Sequence, residues 1–211
     1  HRGAQKNTFM TKHYFSYLAL GDSYTIGESV PLHEGFPYQT VQLLRKKGLH
    51  FHAPEVIAKT GWTSFELADH VLHTALSEHY DFVSLLIGVN NQYRGLTISE
   101  FENDFEYLLK KAIYFAGNKP ERVIVLSIPD WGVTPFAAER DATKISSEIN
   151  AYNKVCEEKV KKLGGHFIDI TTQTRQAKND ETLLAPDKLH YSAKSHKVWA
   201  EKVASTIEKN L

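Results

Sequence analysis

The sequence predicts an α/β fold in three layers, with helices on both faces of a parallel sheet. Two observations carry this. Five short apolar runs alternate with longer segments whose apolar residues recur every three or four positions, and that alternation is the mark of a sheet built from strand–helix–strand crossovers. Two of the runs, Phe82-Val-Ser-Leu-Leu-Ile87 and Val123-Ile-Val-Leu126, are nearly continuous, as strands covered on both faces must be.

The expected strands are Tyr14–Leu20, Glu55–Ala58, Phe82–Ile87, Arg122–Ser127 and His166–Ile170. Between them lie amphipathic segments Phe36–Lys47, Ser64–Ser77, Ser99–Ala116 and Thr143–Leu163. A last helix, Ala193–Lys209, follows Ser192 as N-cap. Gly48, Gly117 and Gly164-Gly165 stand where helices should stop. Right-handed crossovers leave few topologies. The simplest is a flavodoxin-like, doubly wound five-stranded sheet of order 2-1-3-4-5. No repeat, low-complexity tract or linker interrupts the chain, so residues 10–211 are expected to form one domain.

Length and charge narrow the function. The 211 residues suffice for a sizeable core. Lys plus Arg and Asp plus Glu both number 25, so no basic footprint for nucleic acid or an anionic membrane is present. No apolar stretch approaches the ~20 residues of a membrane span. The single cysteine, Cys156, excludes an internal disulfide. Residues 1–9 lack a signal-peptide core. They read as an expression remnant or disordered tail before Met10, the only methionine. A start at Met10 implies a cytoplasmic protein, and a processed N-terminus would imply a secreted or periplasmic one. Oligomeric state is not legible.

In a parallel sheet the C-terminal strand ends share one edge, where ligands bind. The polar residues expected there are Gly21-Asp-Ser23, Thr60-Gly-Trp62, Gly88-Val-Asn-Asn91 and Pro129-Asp-Trp131, joined by Asp187-Lys-Leu-His190 before the last helix. Acyl transfer needs these residue types. A serine hydroxyl such as Ser23 is a weak nucleophile until a base takes its proton, and His190 can be that base, since imidazole titrates near ~6.5. Asp187, three residues earlier, can reach the histidine Nδ1–H and fix its tautomer. The oxyanion needs donors, and the Ser23 N–H, the Gly61 N–H and the Asn90 side-chain amide are candidates. Glycine at position 61 would let that N–H approach substrate without a Cβ in the way. Trp131, Phe136 and Tyr93 fall in rim loops and are candidates to line a substrate pocket. Each motif alone is ordinary turn chemistry; all four occur together, each at a strand or helix boundary.

On these residues the chain resembles a GDSL-type esterase/lipase of the SGNH hydrolase family, whose four blocks carry Ser, Gly, Asn and His. The matching segments are Ala19-Leu-Gly-Asp-Ser-Tyr-Thr-Ile-Gly27, Lys59-Thr-Gly-Trp-Thr63, Ile87-Gly-Val-Asn-Asn91 and Ala185-Pro-Asp-Lys-Leu-His-Tyr-Ser192. The resemblance implies hydrolysis of a small-molecule ester with Ser23 as nucleophile, Asp187 and His190 as triad partners and Gly61 and Asn90 as oxyanion donors, without metal or organic cofactor. Two departures stand out. The third block usually ends in Asp, where this chain has Asn91. The last often carries Gly after Asp and Pro after His, where this chain has Lys188 and Tyr191, changes expected to touch the pocket rim more than the triad.

Other readings share these residues. An O-acyltransferase, or a carbohydrate or lysophospholipid deacylase, would use the same triad, and a catalytically silent binding module would keep the rim alone. A flavodoxin-like cofactor binder fits the fold. His50/His52 could share a strand face, but no third metal ligand is obvious there, and His70/His73, next to Asp69 on a helix, read as an exposed polar face. The short Gly88–Ser99 connection leaves little room for a lid, which favours small acyl groups.

Overall fold

A computed structural model describes residues 13–77 and 79–211. The expected tail at residues 1–9 and the start at Met10 lie outside them. The sheet has five parallel strands, β1 (Tyr17–Gly21), β2 (Glu55–Ala58), β3 (Phe82–Leu86), β4 (Val123–Leu126) and β5 (His166–Ile168), in the order β2-β1-β3-β4-β5. β1 pairs on one side with β2 (Gly21 opposite Ala58) and on the other with β3 (Gly21 opposite Leu86). The chain therefore reverses its winding direction beside β1, which opens a crevice at that strand's C-terminal end.

β1, β3 and β4 are buried along their whole length, which is why they lack a polar face. The first strand is shorter than its apolar run: Phe15 makes only an isolated bridge to Phe51, and Tyr14 is exposed.

The helices are α1 (Ser23–Ile26), α2 (Phe36–Lys46), α3 (Ser64–His73), α4 (Val89–Tyr93), α5 (Ile98–Phe115), α6 (Ala142–Leu163), α7 (Thr171–Arg175) and α8 (Ala193–Lys209). α2 packs on α8, while α5 packs against both α3 and α6. α3 is held at its start by a capping box between Thr63 and Glu66 and stops at His73, four residues before the expected end. There Thr74 turns extended, and the chain runs on to Tyr80, whose N–H donates to the Phe115 carbonyl at 2.7 Å. α5 and α6 each start one residue earlier than periodicity suggests, because Thr97 and Asp141 cap them by accepting from Glu100 N–H and Lys144 N–H. Ser192 stands at the N-cap of α8 but does not cap it with its side chain. Its hydroxyl donates instead to the Thr182 carbonyl at 2.6 Å. Among the described residues no helix is long and apolar enough to cross a membrane.

Candidate active site

The serine turn is built by its neighbours. A Cβ on Gly21 would lie 2.1 Å from Thr25 Oγ1 and 2.7 Å from the Leu86 carbonyl, so only glycine lets β1 pass this close to α1 and β3. Asp22 caps α1 by accepting from Tyr24 N–H at 3.0 Å. Its second oxygen, Oδ2, is buried without a partner, and burial pushes the carboxyl up to about 7. Ser23 is the first residue of α1, so its own N–H has no acceptor within the helix.

His190 Nε2 lies 3.2 Å from Ser23 Oγ, and His190 Nδ1 lies 2.6 Å from Asp187 Oδ2. Asp187 Oδ1 accepts from the N–H groups of Leu189 and His190 at 3.0 and 2.9 Å. Oδ2 also accepts from Ser29 Oγ at 2.9 Å. Burial opposes ionisation of Asp187, but these donors outweigh it and hold the carboxyl down at about 2. Serine, histidine and carboxylate thus form one hydrogen-bonded chain.

The candidate oxyanion donors meet the same space. Gly61 has φ +90°, and a Cβ there would meet nothing nearer than Arg94 Nη2 at 3.8 Å. Its backbone conformation therefore favours glycine independently of what approaches its N–H. Arg94 anchors this turn, donating to the Gly61 carbonyl at 2.6 Å and to Glu66 at 2.9 Å. Asn90 spends one amide hydrogen on the Trp62 carbonyl at 2.9 Å, which fixes the amide and leaves its second N–H. Gly88, at φ +134°, leaves no room for a Cβ: Ile128 and Phe101 carbons would lie 2.8 Å away.

Asn91 has a different task from its neighbour. It accepts from Ser64 N–H at 2.9 Å and donates to Ser64 Oγ at 2.8 Å, and Ser64 Oγ in turn donates to Asp104 at 2.7 Å. Where the family usually has a carboxylate, an amide here relays to a carboxylate on α5.

Ser23, Gly61, Asn90 and His190 line one cleft of about 230 Å³. Trp131, Phe136 and Tyr93 line it too, as expected. Trp131 is buried and held by Nε1–H donation to Gln92 at 2.7 Å. Phe136 and Tyr93 are half exposed beside it, and the Arg140 guanidinium lies 5.2–5.6 Å from all three ring centres. Tyr24, Thr60, Val89 and Leu189 complete the lining; the last three lie in segments expected at this edge, where sequence alone gives them no role. All four are sequence neighbours of the singled-out residues, and that adjacency was the one signal available. Lys188 and Tyr191, expected at the rim, do not line the cleft. Tyr191 is buried and donates to the Asp130 carbonyl at 3.0 Å. Lys188 sits at φ +61°, which accounts for glycine being common at such a position.

The paired histidines are engaged otherwise. His50 and His52 flank the Tyr14 ring, and His70 packs on Trp62 at 4.8 Å. Among the described residues no group of three His, Cys, Asp or Glu is placed to hold a metal ion.

Residues 19–198 match the GDSL-like lipase/acylhydrolase family. In fold the chain is similar to TesA, at 16% identity and TM-score 0.73, covering 93% of this chain and 99% of that one. It is also similar to Axe2, an acetylxylan esterase from Geobacillus stearothermophilus, at 19% identity and TM-score 0.72, covering 92% and 94%. The psychrotrophic esterase EstA from Pseudoalteromonas sp. follows at 17% and 0.65, covering 92% and 97%. No curated protein matches the chain in sequence.

Proposed function

Because the chain belongs to the GDSL-like lipase/acylhydrolase family, and is thereby a carboxylic ester hydrolase, we propose that it cleaves small esters through Ser23, His190 and Asp187. The observation that carries this is the unbroken hydrogen-bonded chain from Ser23 Oγ through both nitrogens of His190 to Asp187 Oδ2, opening on a cleft shared with Gly61 and Asn90.

Ser23 Oγ attacks the ester carbonyl carbon while His190 Nε2 takes the hydroxyl proton. Asp187 keeps the Nδ1 proton in place and balances the imidazolium that forms. The carbonyl oxygen, now negative, is met by the N–H groups of Ser23 and Gly61 and the free Asn90 N–H. Loss of one such donor typically costs ~3–4 kcal/mol of transition-state stabilisation. The intermediate collapses, His190 hands its proton to the departing alkoxide, and water then clears the acyl group from Ser23 by the same route.

The cleft's small volume supports a short acyl group, acetyl being the natural first choice. The aromatic rim of Trp131, Phe136 and Tyr93 offers flat apolar surface for an alcohol portion such as a sugar ring. Ser23→Ala is expected to abolish p-nitrophenyl acetate hydrolysis with the fold intact by circular dichroism, and retained turnover would refute the assignment. A series of p-nitrophenyl esters of rising chain length reads the acyl pocket, with the rate highest for the shortest acids.

A further inference from the structure

We infer that Ser29 is a positioning residue for this reaction: its hydroxyl locks the Asp187 carboxylate in the rotation that presents Oδ2 to His190. The inference rests on the reading of Asp187 as the group that orients His190.

A carboxylate offers about four lone-pair sites, and at Asp187 all four are filled. Leu189 N–H and His190 N–H take Oδ1, while Ser29 Oγ and His190 Nδ1 share Oδ2. Three of these donors come from the carboxylate's own loop. Ser29 alone reaches it from elsewhere, 158 residues away in sequence, from the turn that follows the nucleophile helix α1. With the His190 imidazole, which reaches Ser23 Oγ through Nε2, it ties the acid's loop to the nucleophile's.

The backbone points the same way. Among the described residues three non-glycines have positive φ: Ser29 at 70°, Asn118 at 60° and Lys188 at 61°. Asparagine tolerates this region, whereas serine and lysine rarely adopt it. Both unfavourable cases sit against Asp187, one donating to it and the other next to it in the chain. Strain of this kind persists where surrounding contacts over-determine it, and it gathers at functional sites. A turn selected for shape alone would carry glycine at position 29; the hydroxyl is what glycine could not supply. Glu28, one residue earlier, accepts from Thr60 Oγ1 at 2.5 Å, so the same turn is moored on the oxyanion side of the cleft.

The test uses Ser29→Gly and Ser29→Ala, with kcat, KM and melting temperature measured on p-nitrophenyl acetate. Both variants lose the hydroxyl, but only glycine relaxes the backbone. The expected result is a fall in kcat of about three- to tenfold in each, the fold-change that corresponds to one ordinary net hydrogen bond at a partly exposed site. KM should stay within about twofold, and Ser29→Gly should melt no lower than the parent. In an Asp187→Ala background, Ser29→Gly should cost nothing further, because its partner is gone. Parental kcat in Ser29→Gly, or an undiminished loss in the Asp187→Ala background, would overturn the inference. If instead Ser23→Ala and Asp187→Ala both kept full activity, the triad reading itself would fall. If those two are inactive while Ser29→Gly is fully active, only the role of Ser29 is lost.

Discussion

The imidazole of His190 reaches Ser23, 167 residues away in sequence, and joins it to Asp187, with Nε2 3.2 Å from Ser23 Oγ and Nδ1 2.6 Å from Asp187 Oδ2. This order assigns the tautomer: if Asp187 is ionised, Nδ1 must carry the proton and Nε2 must be free to accept. Asp187→Asn keeps the size of the side chain but offers an N–H or a weaker acceptor to Nδ1, favouring the wrong tautomer. We expect kcat to fall by about 10³- to 10⁴-fold with little change in KM. A loss below tenfold would mean that Asp187 does not set the tautomer of His190.

Two aspartates of the site should titrate in opposite senses. The folded value of Asp187 is lowered to about 2, so its contribution to stability is full above about pH 4 and is lost as pH falls toward 2. Asp22 is raised to about 7 by burial, so the unfolded chain releases its proton near pH 4 while the folded chain keeps it until near 7. The Asp22 term therefore lowers stability progressively between those values and stays unfavourable above them. Asn is an equally good N-cap and cannot ionise. Asp22→Asn should gain on the parent by about 2–3 kcal/mol between pH 5 and pH 8, at ~1.4 kcal/mol per pH unit up to the folded value of about 7. The new amide N–H₂ replaces an oxygen that had no partner, which offsets the two curves by a cost independent of pH. Urea unfolding at four pH values measures it, and a constant gap would show that burial does not hold Asp22 protonated.

The strands were legible because burial on both faces leaves nearly unbroken apolar runs, as at Phe82–Leu86 and Val123–Leu126. The candidate site was legible because Ser23, Gly61 and Asn90 each follow a strand, so strand polarity collects them at one edge. What stayed hidden depends on contacts that no local pattern encodes. Ser29 meets Asp187 across 158 residues. Helices as short as α1, α4 and α7 span too few turns to show a period. Ser192 had the residue type of an N-cap, but a tertiary acceptor, the Thr182 carbonyl, claimed its hydroxyl. Gly61 has a reason to be glycine that no local pattern reveals, its φ of +90°.

Asn91 supplies a prediction because its amide uses both of its polarities. Its oxygen accepts from Ser64 N–H and its nitrogen donates to Ser64 Oγ, whose only proton already goes to Asp104. In Asn91→Asp the new oxygen would face Ser64 Oγ with no hydrogen between them, and a second carboxylate would join Asp104 on one hydroxyl. Stability should drop by about 1–3 kcal/mol at pH 8. The introduced carboxyl, disfavoured when ionised, is raised in the folded state, so the penalty is absent below the unfolded value of ~3.9 and grows as pH rises. Recovery at pH 4 in denaturant titrations is the expected outcome; an equal loss at both pH values would point to packing instead.

Lys188 tests whether the acid's loop carries strain. Its φ of +61° is one that glycine adopts freely, and for a residue with a Cβ it costs roughly 1–2 kcal/mol. The side chain's compensation is slight, a 3.8 Å approach to the exposed Glu181, and such surface pairs contribute little. Against this, glycine frees the unfolded chain, which costs about 0.5–1 kcal/mol. The balance favours Lys188→Gly by about 0.5 kcal/mol, a rise of a degree or two in melting temperature for a chain of this size. Lys188→Ala keeps the Cβ while removing the ammonium, so it should not gain. The contrast between the two isolates backbone strain from charge: an equal rise in both would locate the effect in the lost ammonium, and a fall in the glycine variant would show that the loop is held in place by its own stiffness.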